Sequence, residues 1–293
     1  MTGQTGLSVV IVAHNSRPYL SACLRSIYEQ TDTPPLEVIV VDNGSRDGEI
    51  EMVRRDFPQL TLVTSSRNLG FAAGANLGIR QAKGTHLLLL NPDTTVAPGA
   101  LTRMAEFIKA TPDAGAVGPK LLNPDGSLQL SCRAFPGRWM VFAHRYALLT
   151  RLFPQNPATR RYLLTDWDHA SVRPVDWVSG ACLMTSREVL ERVGLLDEKF
   201  FLFNEDVDFC RRVWAAGWKV YYVPDAVVFH HVGISGRHDD VSLILTRHRS
   251  MLHYHHKHFR PYGPLGLLTD AAIIARALLH VCLVPLRSGL RRG

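Results

Sequence analysis

The stretch "HLLLLNPDTTV" (residues 86–96) decides the fold, because it reads as a buried strand that ends in an acid. Its four consecutive leucines leave no polar face, which is typical of a strand covered on both sides within a parallel sheet. Asn91 and Pro92 then end the apolar run and place the carboxylate of Asp93 just beyond it. Ligands of open α/β sheets bind beyond the carboxyl ends of the strands. The sequence therefore predicts that Asp93 faces a ligand.

The segments around this strand alternate between apolar runs and stretches with helical spacing. Three further strands are predicted at "LSVVIVA" (7–13), "LEVIVVDNGS" (36–45) and "LTLVTS" (60–65). The predicted helix "FAAGANLGIRQAKG" (71–84) is expected to end at Gly84 in a left-handed cap. This alternation indicates an α/β fold with a mixed, mainly parallel sheet and helices on both faces. Asp42, which closes the second strand, is then expected on the same rim as Asp93.

The second half of the chain is less regular at first. Residues 123–175 carry prolines, aromatics and arginines without a clear period, which is typical of loops and short helices that order around a ligand. A strand followed by a helix is predicted over 178–194, and a helix with Asn204 at its N-cap over 204–218. The segment "KVYYVPDAVVFHH" (219–231) reads as an extended pair broken at Pro224.

The composition is that of an ordinary soluble domain, with 46% hydrophobic and 20% charged residues in a chain of 293. The five cysteines are scattered and show no C-x-x-C spacing. This argues against a disulfide framework or a structural zinc site and fits a reducing cytosol. The N-terminus lacks the basic region of a signal peptide, so we expect a cytoplasmic protein.

The formal charge of +7 is concentrated toward the C-terminus, where "RHRSMLHYHHKHFR" (247–260) is rich in histidine and arginine. Such a segment suits an anionic partner, although its simplest interpretation is a solvated basic helix face. The apolar run that follows is interrupted by Asp270, Arg276 and His280, and falls short of a clean membrane span. A helix lying in the membrane interface, anchored by the basic end 287–293, is one interpretation. A terminal helix packed on the domain or on a second subunit is the other.

Two acids, Glu205 and Asp206, follow the apolar segment 200–203. Acids in the first turn of a helix commonly just complement the helix dipole, by about 0.3–1 kcal/mol each. The apolar surroundings give a second interpretation, because burial raises the proton affinity of a carboxylate, as a general base requires.

The run "VVFHH" (227–231) ends in two further candidates, His230 and His231. A histidine in such a position can be either a core residue or a ligand. A carboxylate and a neutral imidazole, completed by diphosphate oxygens and water, make a suitable site for Mn²⁺ or Mg²⁺. The sequence contains neither the dinucleotide-binding motif G-x-G-x-x-G nor the P-loop motif G-x-x-x-x-G-K-[ST], and it lacks the hydrolase nucleophile elbow G-x-S-x-G.

The order of the motifs is more specific than any one of them. "VVIVAHNS", "VVDNGS", "RNLGFAAGAN", "LLLLNPDTTV", "VSGACLM", "FFLFNEDVDFCRRVWAAGW" and "VVFHHVGIS" follow one another along residues 7–240. In this order and spacing the chain resembles family 2 glycosyltransferases of the GT-A fold, a Rossmann-like nucleotide-diphospho-sugar transferase fold. The resemblance is closest to the bacterial rhamnosyltransferase-like branch.

The resemblance implies a role for each matching position. Asp93 corresponds to the metal-binding acid of a D-x-D-type motif and His230 to a further ligand of Mn²⁺ or Mg²⁺. Asp206 corresponds to the catalytic base, Glu205 to a residue that orients the acceptor, and Gly180 to the acceptor side. The implied contacts of the nucleotide sugar are Ala13, His14, Asp42, Asn68, Gly70 and Asn91. Asn91 stands where many relatives carry the first acid of the motif, so the ion is expected to be held more weakly.

The resemblance also implies an inverting, metal-dependent transfer in cell-surface polysaccharide synthesis, with dTDP-rhamnose as the first candidate donor. The acceptor would be a saccharide or a polyprenyl-diphosphate-linked saccharide at the inner face of the cytoplasmic membrane. UDP-sugars, a nucleotidyltransferase activity and a non-catalytic binding module are the alternatives, whereas no nucleic-acid module is visible. We expect a catalytic domain over 1–240, with a nucleotide-sugar half (1–120) and an acceptor half (121–240), and a helical segment over 241–293.

Overall fold

The computed structural model describes residues 6–31, 33–137, 156–231, 240–259 and 263–290, with side chains up to residue 284. The strands are β1 (Leu7–Ala13), β2 (Leu36–Asn43), β3 (Thr61–Ser65), β4 (His86–Leu90), β5 (Thr94–Val96), β6 (Ala114–Leu122), β7 (Leu128–Gln129), β8 (Cys132–Arg133), β9 (Arg173–Val175), β10 (Trp177–Val178), β11 (Cys182–Ser186) and β12 (Lys219–His230). The helices are α1 (Arg17–Tyr28), α2 (Glu49–Asp56), α3 (Phe71–Gln81), α4 (Ala100–Ala110), α5 (Pro157–Leu163), α6 (Arg187–Val193), α7 (Glu205–Ala215), α8 (Val241–Phe259) and α9 (Pro264–Leu290).

One large mixed sheet organises these elements, in the order β3-β2-β1-β4-β11-β6-β12-β5. The N-terminal strands β1 to β4 are parallel, as the βα alternation predicts. Strand β11 lies antiparallel between β4 and β6, and β12 returns parallel to β6. The sheet thus joins strands from both halves of the chain. The predicted α/β fold with a mixed, mainly parallel sheet is confirmed.

The strand register places the predicted rim residues side by side. Ala13 of β1 pairs with Asp42 of β2, and Ile11 pairs with Leu90, the last residue of β4. Asp42 and the segment that carries Asp93 therefore leave the sheet at the same edge, as expected for ligand-binding residues of a parallel sheet.

Alternate side chains of the strands feed two apolar cores, one on each face of the sheet. Val9 and Ile11 of β1 pack with α1, α2 and α4, whereas Val10 and Val12 pack with α3, α6 and α7. The four leucines of β4 divide in the same way between the two cores. This two-sided burial explains the unbroken apolar runs and holds the ends of the strands rigidly.

Two local predictions need correction. Helix α3 ends at Gln81 with an extended cap at Ala82, so Gly84 forms no left-handed cap. Gly84 instead allows a close approach, because an added Cβ would lie 2.6 Å from Oγ of Ser8. The segment 219–231 is a single strand, β12, whose register shifts between Val223 and Val227 rather than breaking at Pro224. The β-bulge absorbs the proline within one continuous strand.

The turn before α7 also differs from the prediction. Asn204 occupies the N-cap, but within the described residues its side chain makes no cap hydrogen bond. Phe203 and Asn204 instead both adopt the left-handed conformation, with φ of 71° and 68°. Asparagine tolerates this region, whereas a phenylalanine there is strained. Strain of this kind persists where the surrounding structure holds a functional segment in place.

Helices α8 and α9 fold back over the domain and pack against each other. Asp270 of α9 contacts Nδ1 of His255 at 3.0 Å and Nε2 of His256 at 2.8 Å, and the His280 ring stacks edge-on to His248. The prediction of a solvated face for 247–260 is therefore wrong for His248 and His255, which are buried. Two of the polar residues that interrupt the apolar run of α9, Asp270 and His280, therefore contribute to this packing.

Candidate active site

A cavity of about 550 Å³ opens between the rim of the sheet and helices α8 and α9. Among the residues that line it are five predicted site residues: Asn91, Gly180, Glu205, Asp206 and His230. They come from four separate segments of the chain, after β4, before β11, at the start of α7 and at the end of β12. The fold therefore brings the predicted cation ligand His230 and the predicted base Asp206 to one cavity. The rest of the wall is supplied partly by α8 and α9, which the sequence had not assigned to a site.

Asp93 and His230 lie at the rim beside this cavity. Nε2 of His230 lies 3.3 Å from a carboxylate oxygen of Asp93, and both residues are buried. The backbone also joins them, because N–H of His231 donates to the carbonyl of Asp93 at 2.8 Å. Strand β5, which follows Asp93, pairs with the end of β12 and fixes the two segments together.

The hydrogen bonds of Gln129 assign the tautomer of His230. The amide nitrogen of Gln129 donates to the carbonyl of His230 at 2.6 Å and to Asn123 at 2.7 Å, so its Oε1 must accept from Nδ1 of His230 at 3.0 Å. In the neutral imidazole, Nε2 then carries the lone pair, and no hydrogen-bond partner for it lies among the described residues.

A lone pair that faces a carboxylate oxygen at 3.3 Å is unfavourable unless a cation or proton lies between them. Carboxylate and imidazole are suitable ligands for Mn²⁺, and a ligating histidine typically donates its other N–H to an oxygen. The arrangement of Asp93, His230 and Gln129 therefore fits a divalent cation.

Asp206 is held by two backbone hydrogen bonds at the start of α7. One carboxylate oxygen accepts from N–H of Gly180 at 2.9 Å and the other from N–H of Val207 at 2.8 Å. Gly180 allows this approach, since an added Cβ would lie 3.3 Å from Cβ of Asp206. The backbone segment before β11 thus aims the carboxylate, and Gly180 contacts the predicted base directly.

Burial raises the pKa of both acids at this position. The pKa of Glu205 is well above its usual value because of burial and, next, the charge of Asp206. Burial also raises the pKa of Asp206, although the backbone hydrogen bonds from Gly180 and Val207 oppose the shift. A carboxylate with raised proton affinity is a better general base at neutral pH.

Asp208, the third acid of the same segment, has a structural role. Its carboxylate contacts Arg212 at 2.9 Å, and Lys257 and His258 of α8 at 2.8 Å each. Although burial raises the pKa of Asp208, the hydrogen bonds from His258 and Lys257 leave it below the usual value. Asp208 therefore stays ionised and joins α7 to α8.

The residues predicted to bind the nucleotide lie together on the neighbouring part of the rim. Asp42 is buried and accepts from N–H of Ser45 at 3.1 Å. Nδ1 of His14 donates to the carbonyl of Asn43 at 3.0 Å, which places the loop after Ala13 against the end of β2. Ala13, His14 and Asp42 thus form one group, outside the lining of the cavity.

Asn43 connects this group to the loop 68–70, a role that sequence reasoning missed. Its amide nitrogen donates to Oδ1 of Asn68 at 3.1 Å and to the carbonyl of Gly70 at 3.0 Å. Gly70 has φ of 86°, and an added Cβ would collide with the carbonyl of Phe201. That carbonyl also accepts from N–H of Phe71 at 2.7 Å. The predicted nucleotide loop therefore packs against the segment that carries the acids.

Gln129 and the contributions of α8 and α9 are the other functional features that the sequence did not reveal. Gln129 lies in an aperiodic segment and acquires its role only through the fold. Asn43 had a usable signal, because a polar residue beside Asp42 at the end of a buried strand belongs to the same rim. Tyr254 and His255 lie in a helix whose basic composition predicted a solvent-exposed face, whereas both residues line the cavity.

Comparison with known proteins places the chain among glycosyltransferases. Residues 8–150 match the model of glycosyl transferase family 2, and residues 86–240 match that of glycosyl transferase family group 2. Among curated proteins, N-acetylglucosaminyl-diphospho-decaprenol L-rhamnosyltransferase of Mycobacterium tuberculosis is 33% identical over 255 residues. That alignment covers 83% of this chain and 82% of the relative.

Solved structures share the fold. The mannosyltransferase PcManGT from Pyrobaculum calidifontis, in complex with GDP-Man and Mn²⁺, superposes with a TM-score of 0.59 at 22% identity, over 98% of this chain and 80% of that one. GalNAc-T7 with UDP, GalNAc and Mn²⁺ gives a TM-score of 0.58 at 17% identity, over 79% of this chain and 44% of that one. At these identities the similarity concerns the fold.

Proposed function

The chain belongs to glycosyltransferase family 2, in its rhamnosyltransferase-like branch, and on that premise we propose that it transfers L-rhamnose from dTDP-rhamnose. The acceptor is a hydroxyl of a saccharide linked through a diphosphate to a polyprenol, and the product serves cell-surface polysaccharide synthesis. The name of the M. tuberculosis relative, which specifies a rhamnosyl transfer to such an acceptor, supports this choice.

One observation carries the catalytic part of the proposal: His230, which faces Asp93, and Asp206 line the same cavity. Asp93 and His230 would hold Mn²⁺ or Mg²⁺, with Asn91 as a neutral neighbour. When bound, the cation supplies Lewis-acid stabilisation to the diphosphate leaving group. The pair of residues thus serves the leaving group, and Asp206 serves the nucleophile.

Asp206 acts as the general base in this proposal. It takes the proton of the acceptor hydroxyl at a carboxylate oxygen while that hydroxyl attacks the anomeric carbon from the face opposite the diphosphate. A single displacement inverts the configuration of that carbon. Glu205, whose raised pKa favours the protonated form, orients the acceptor, and Gly180 keeps Asp206 in place.

The nucleotide is bound on the other side of the site. Asp42 and the loop after Ala13, which includes His14, hold the base, whereas Asn68 and Gly70 border the nucleotide and its sugar. Their contacts through Asn43 make them one unit. This division assigns residues 1–120 to the donor, 121–240 to the acceptor and catalysis, and 241–293 to the membrane side.

The exposed face of α9 supports a peripheral position on the inner face of the cytoplasmic membrane. The stretch Pro264–Val284 has the length and the mean hydropathy, 1.9, of a membrane span. Asp270 and His280 nevertheless contact α8, and the exposed face of the helix consists of apolar side chains: Leu267, Leu268, Ile274, Leu278 and Leu279. A helix with one face packed on protein and the other apolar suits the membrane interface. Arg291 and Arg292, the expected anchors, and the side chain of Arg287 lie outside the described part of the chain.

A panel of nucleotide sugars tests the proposed function. Binding is followed by thermal shift and turnover by release of the free nucleotide, with Mn²⁺, with Mg²⁺ and with EDTA. We expect dTDP-rhamnose to give the largest shift, and dTDP release to require both a cation and a diphosphate-linked acceptor. Release of UDP from a UDP-sugar under the same conditions would show that the donor is that UDP-sugar and not dTDP-rhamnose. Formation or hydrolysis of nucleoside triphosphates would instead indicate a nucleotidyltransferase.

A further inference from the structure

Cationic side chains from the C-terminal helix α8 and from strand β8 line the cavity. Arg247 of α8 lines the cavity, and its guanidinium carbon lies 4.6 Å from the ring centroid of Phe203. Arg133 of β8 also lines it, 5.2 Å from the ring of Trp177 and 5.9 Å from that of Tyr162. Aromatic faces thus position two guanidinium groups in the cavity, and that of Arg247 lies beside the strained turn at Phe203.

Arg276 of α9, which is not itself among the described lining residues but follows the lining residue Ile273 by one helical turn, brings a third positive charge to this region. Burial, and after it the charge of Arg247, lowers the pKa of Arg276 to about 10. Two like charges close together in a partly buried position repel each other, and an anion bound between them would offset that repulsion. Guanidinium groups are also the side chains best shaped for phosphate oxygens, which they bind in a bidentate manner.

The arginines lie on the acceptor side of the site. Burial raises the pKa of Tyr162, and the charges that act on it include Arg133 and Arg276, which lower it, and Asp206, which raises it. Because Arg133 and Arg247 also line the cavity that holds Asp206, the cationic group is near the proposed base. The nucleotide-binding group around Asp42 does not belong to the described lining of this cavity.

The two faces of helix α9 indicate where the lipid chain of a lipid-linked acceptor would run. Its inner face contributes Thr269 and Ile273 to the cavity wall, while its outer face exposes leucines, with Leu267 68% and Leu278 61% accessible. A diphosphate bound at the arginines would thus lie between the acceptor hydroxyl at Asp206 and a polyprenyl chain that continues along α9 into the membrane interface.

We propose that Arg133, Arg247 and Arg276 form a subsite for the diphosphate of a lipid-linked acceptor, at the end of the cavity bounded by α8 and α9. The proposal rests on the proposed function and adds to it the residues that select a diphosphate-linked acceptor. The three arginines bind and position the acceptor and take no part in proton transfer.

Calorimetric binding of two acceptor probes to the full chain tests this subsite. One probe is N-acetylglucosaminyl-diphospho-farnesol, and the other carries the same sugar linked to farnesol without phosphates. The variants are R133Q, R247Q and R276Q, with R247K and R276K as conservative changes. R249Q is the matched control, because Arg249 is an exposed arginine of α8 outside the described cavity lining.

We expect the wild-type protein to bind the diphosphate probe much more tightly than the phosphate-free probe. Each Gln variant should weaken binding of the diphosphate probe by about 10- to 100-fold, while affinity for the phosphate-free probe and for dTDP changes less than about twofold. The Lys variants should retain part of the affinity, and R249Q all of it.

Three results would overturn the proposal. The first is a wild-type protein that binds both probes equally, which decides the question even if a variant fails to fold. The second is an equal loss for both probes, and the third is a loss of dTDP affinity, which would assign the arginines to the donor. Because binding is measured without turnover, absence of rhamnosyl transfer would refute the proposed function and leave this test intact.

Discussion

At the residue scale, three acids within one short segment have different environments and hence different chemistry. Burial raises the pKa of Glu205 and Asp206, whereas contacts with α8 lower that of Asp208. The apolar segment 200–203 made the raised pKa of the first two acids predictable from the sequence. The lowered pKa of Asp208 was not predictable, because Lys257 and His258 are about fifty positions away and contact Asp208 only through the packing of α8.

The raised pKa of Asp206 predicts the pH dependence of turnover. The base must be ionised, so kcat should fall as the pH decreases through its raised pKa, and stay high above it. The measurement is kcat at saturating donor and acceptor between pH 4 and 9. The residual rate of D206N should not show this dependence, and a wild-type rate that is flat down to pH 4 would contradict the assignment.

Glu205 should limit stability while it serves function. Its folded-state pKa is raised, so the folded state binds more protons than the unfolded state between the two pKa values, and stability falls as the pH rises through that window. We expect E205Q to be more stable than the wild type by about 1–2 kcal/mol at pH 8, and by less near pH 4. Urea unfolding at both pH values measures this, with E191Q as the exposed control. A less stable E205Q at pH 8 would disprove it.

Gln129 should control the affinity for the cation through the tautomer of His230. In Q129L the hydrogen bond to Nδ1 is lost, so Nε2 is no longer fixed as the atom that carries the lone pair. Loss of such a supporting contact typically weakens metal binding by about 10- to 100-fold. Titration with Mn²⁺ in the presence of dTDP measures the change, and Q81L, at an exposed position of α3, is the control. Equal Mn²⁺ affinity in Q129L and the wild type would count against the cation site.

At the scale of elements, the βα units were predictable, and the features that depend on long-range contacts were not. Apolar periodicity is local, so β1 to β4 and their helices could be read from the sequence. The left-handed turn at Phe203 is stabilised by contacts with distant residues, including Arg247. Likewise, Gly84 looked like a helix cap, but the residue that requires a glycine there is Ser8 of β1.

The outer face of α9 yields a prediction about membranes. Burying a leucine side chain contributes about 1.5–3 kcal/mol, so L267Q/L278Q should weaken binding to anionic vesicles by about 10-fold or more. Both side chains are exposed, and the fold should therefore persist. Co-sedimentation with vesicles measures the effect, with V172Q as an exposed apolar control. Unchanged sedimentation would assign this face to a protein contact instead.

At the scale of the whole molecule, the site is assembled by the mixed part of the sheet. Strand β11 enters between β4 and β6 and carries Gly180 to Asp206, while β12 returns His230 to Asp93. The motifs identified these residues individually, but the strand order that unites them depends on pairing between distant segments. Helices α8 and α9 then complete the cavity, a role that their basic and apolar composition did not indicate.

The central claim is that one cavity presents a cation site to the leaving group and the carboxylate of Asp206 to the acceptor. Its most direct test is dTDP release by D206N from dTDP-rhamnose with a diphosphate-linked acceptor and Mn²⁺, alongside donor affinity. We predict that transfer falls by about 10²- to 10⁴-fold while cation-dependent donor binding persists. Transfer by D206N at close to the wild-type rate would contradict the account.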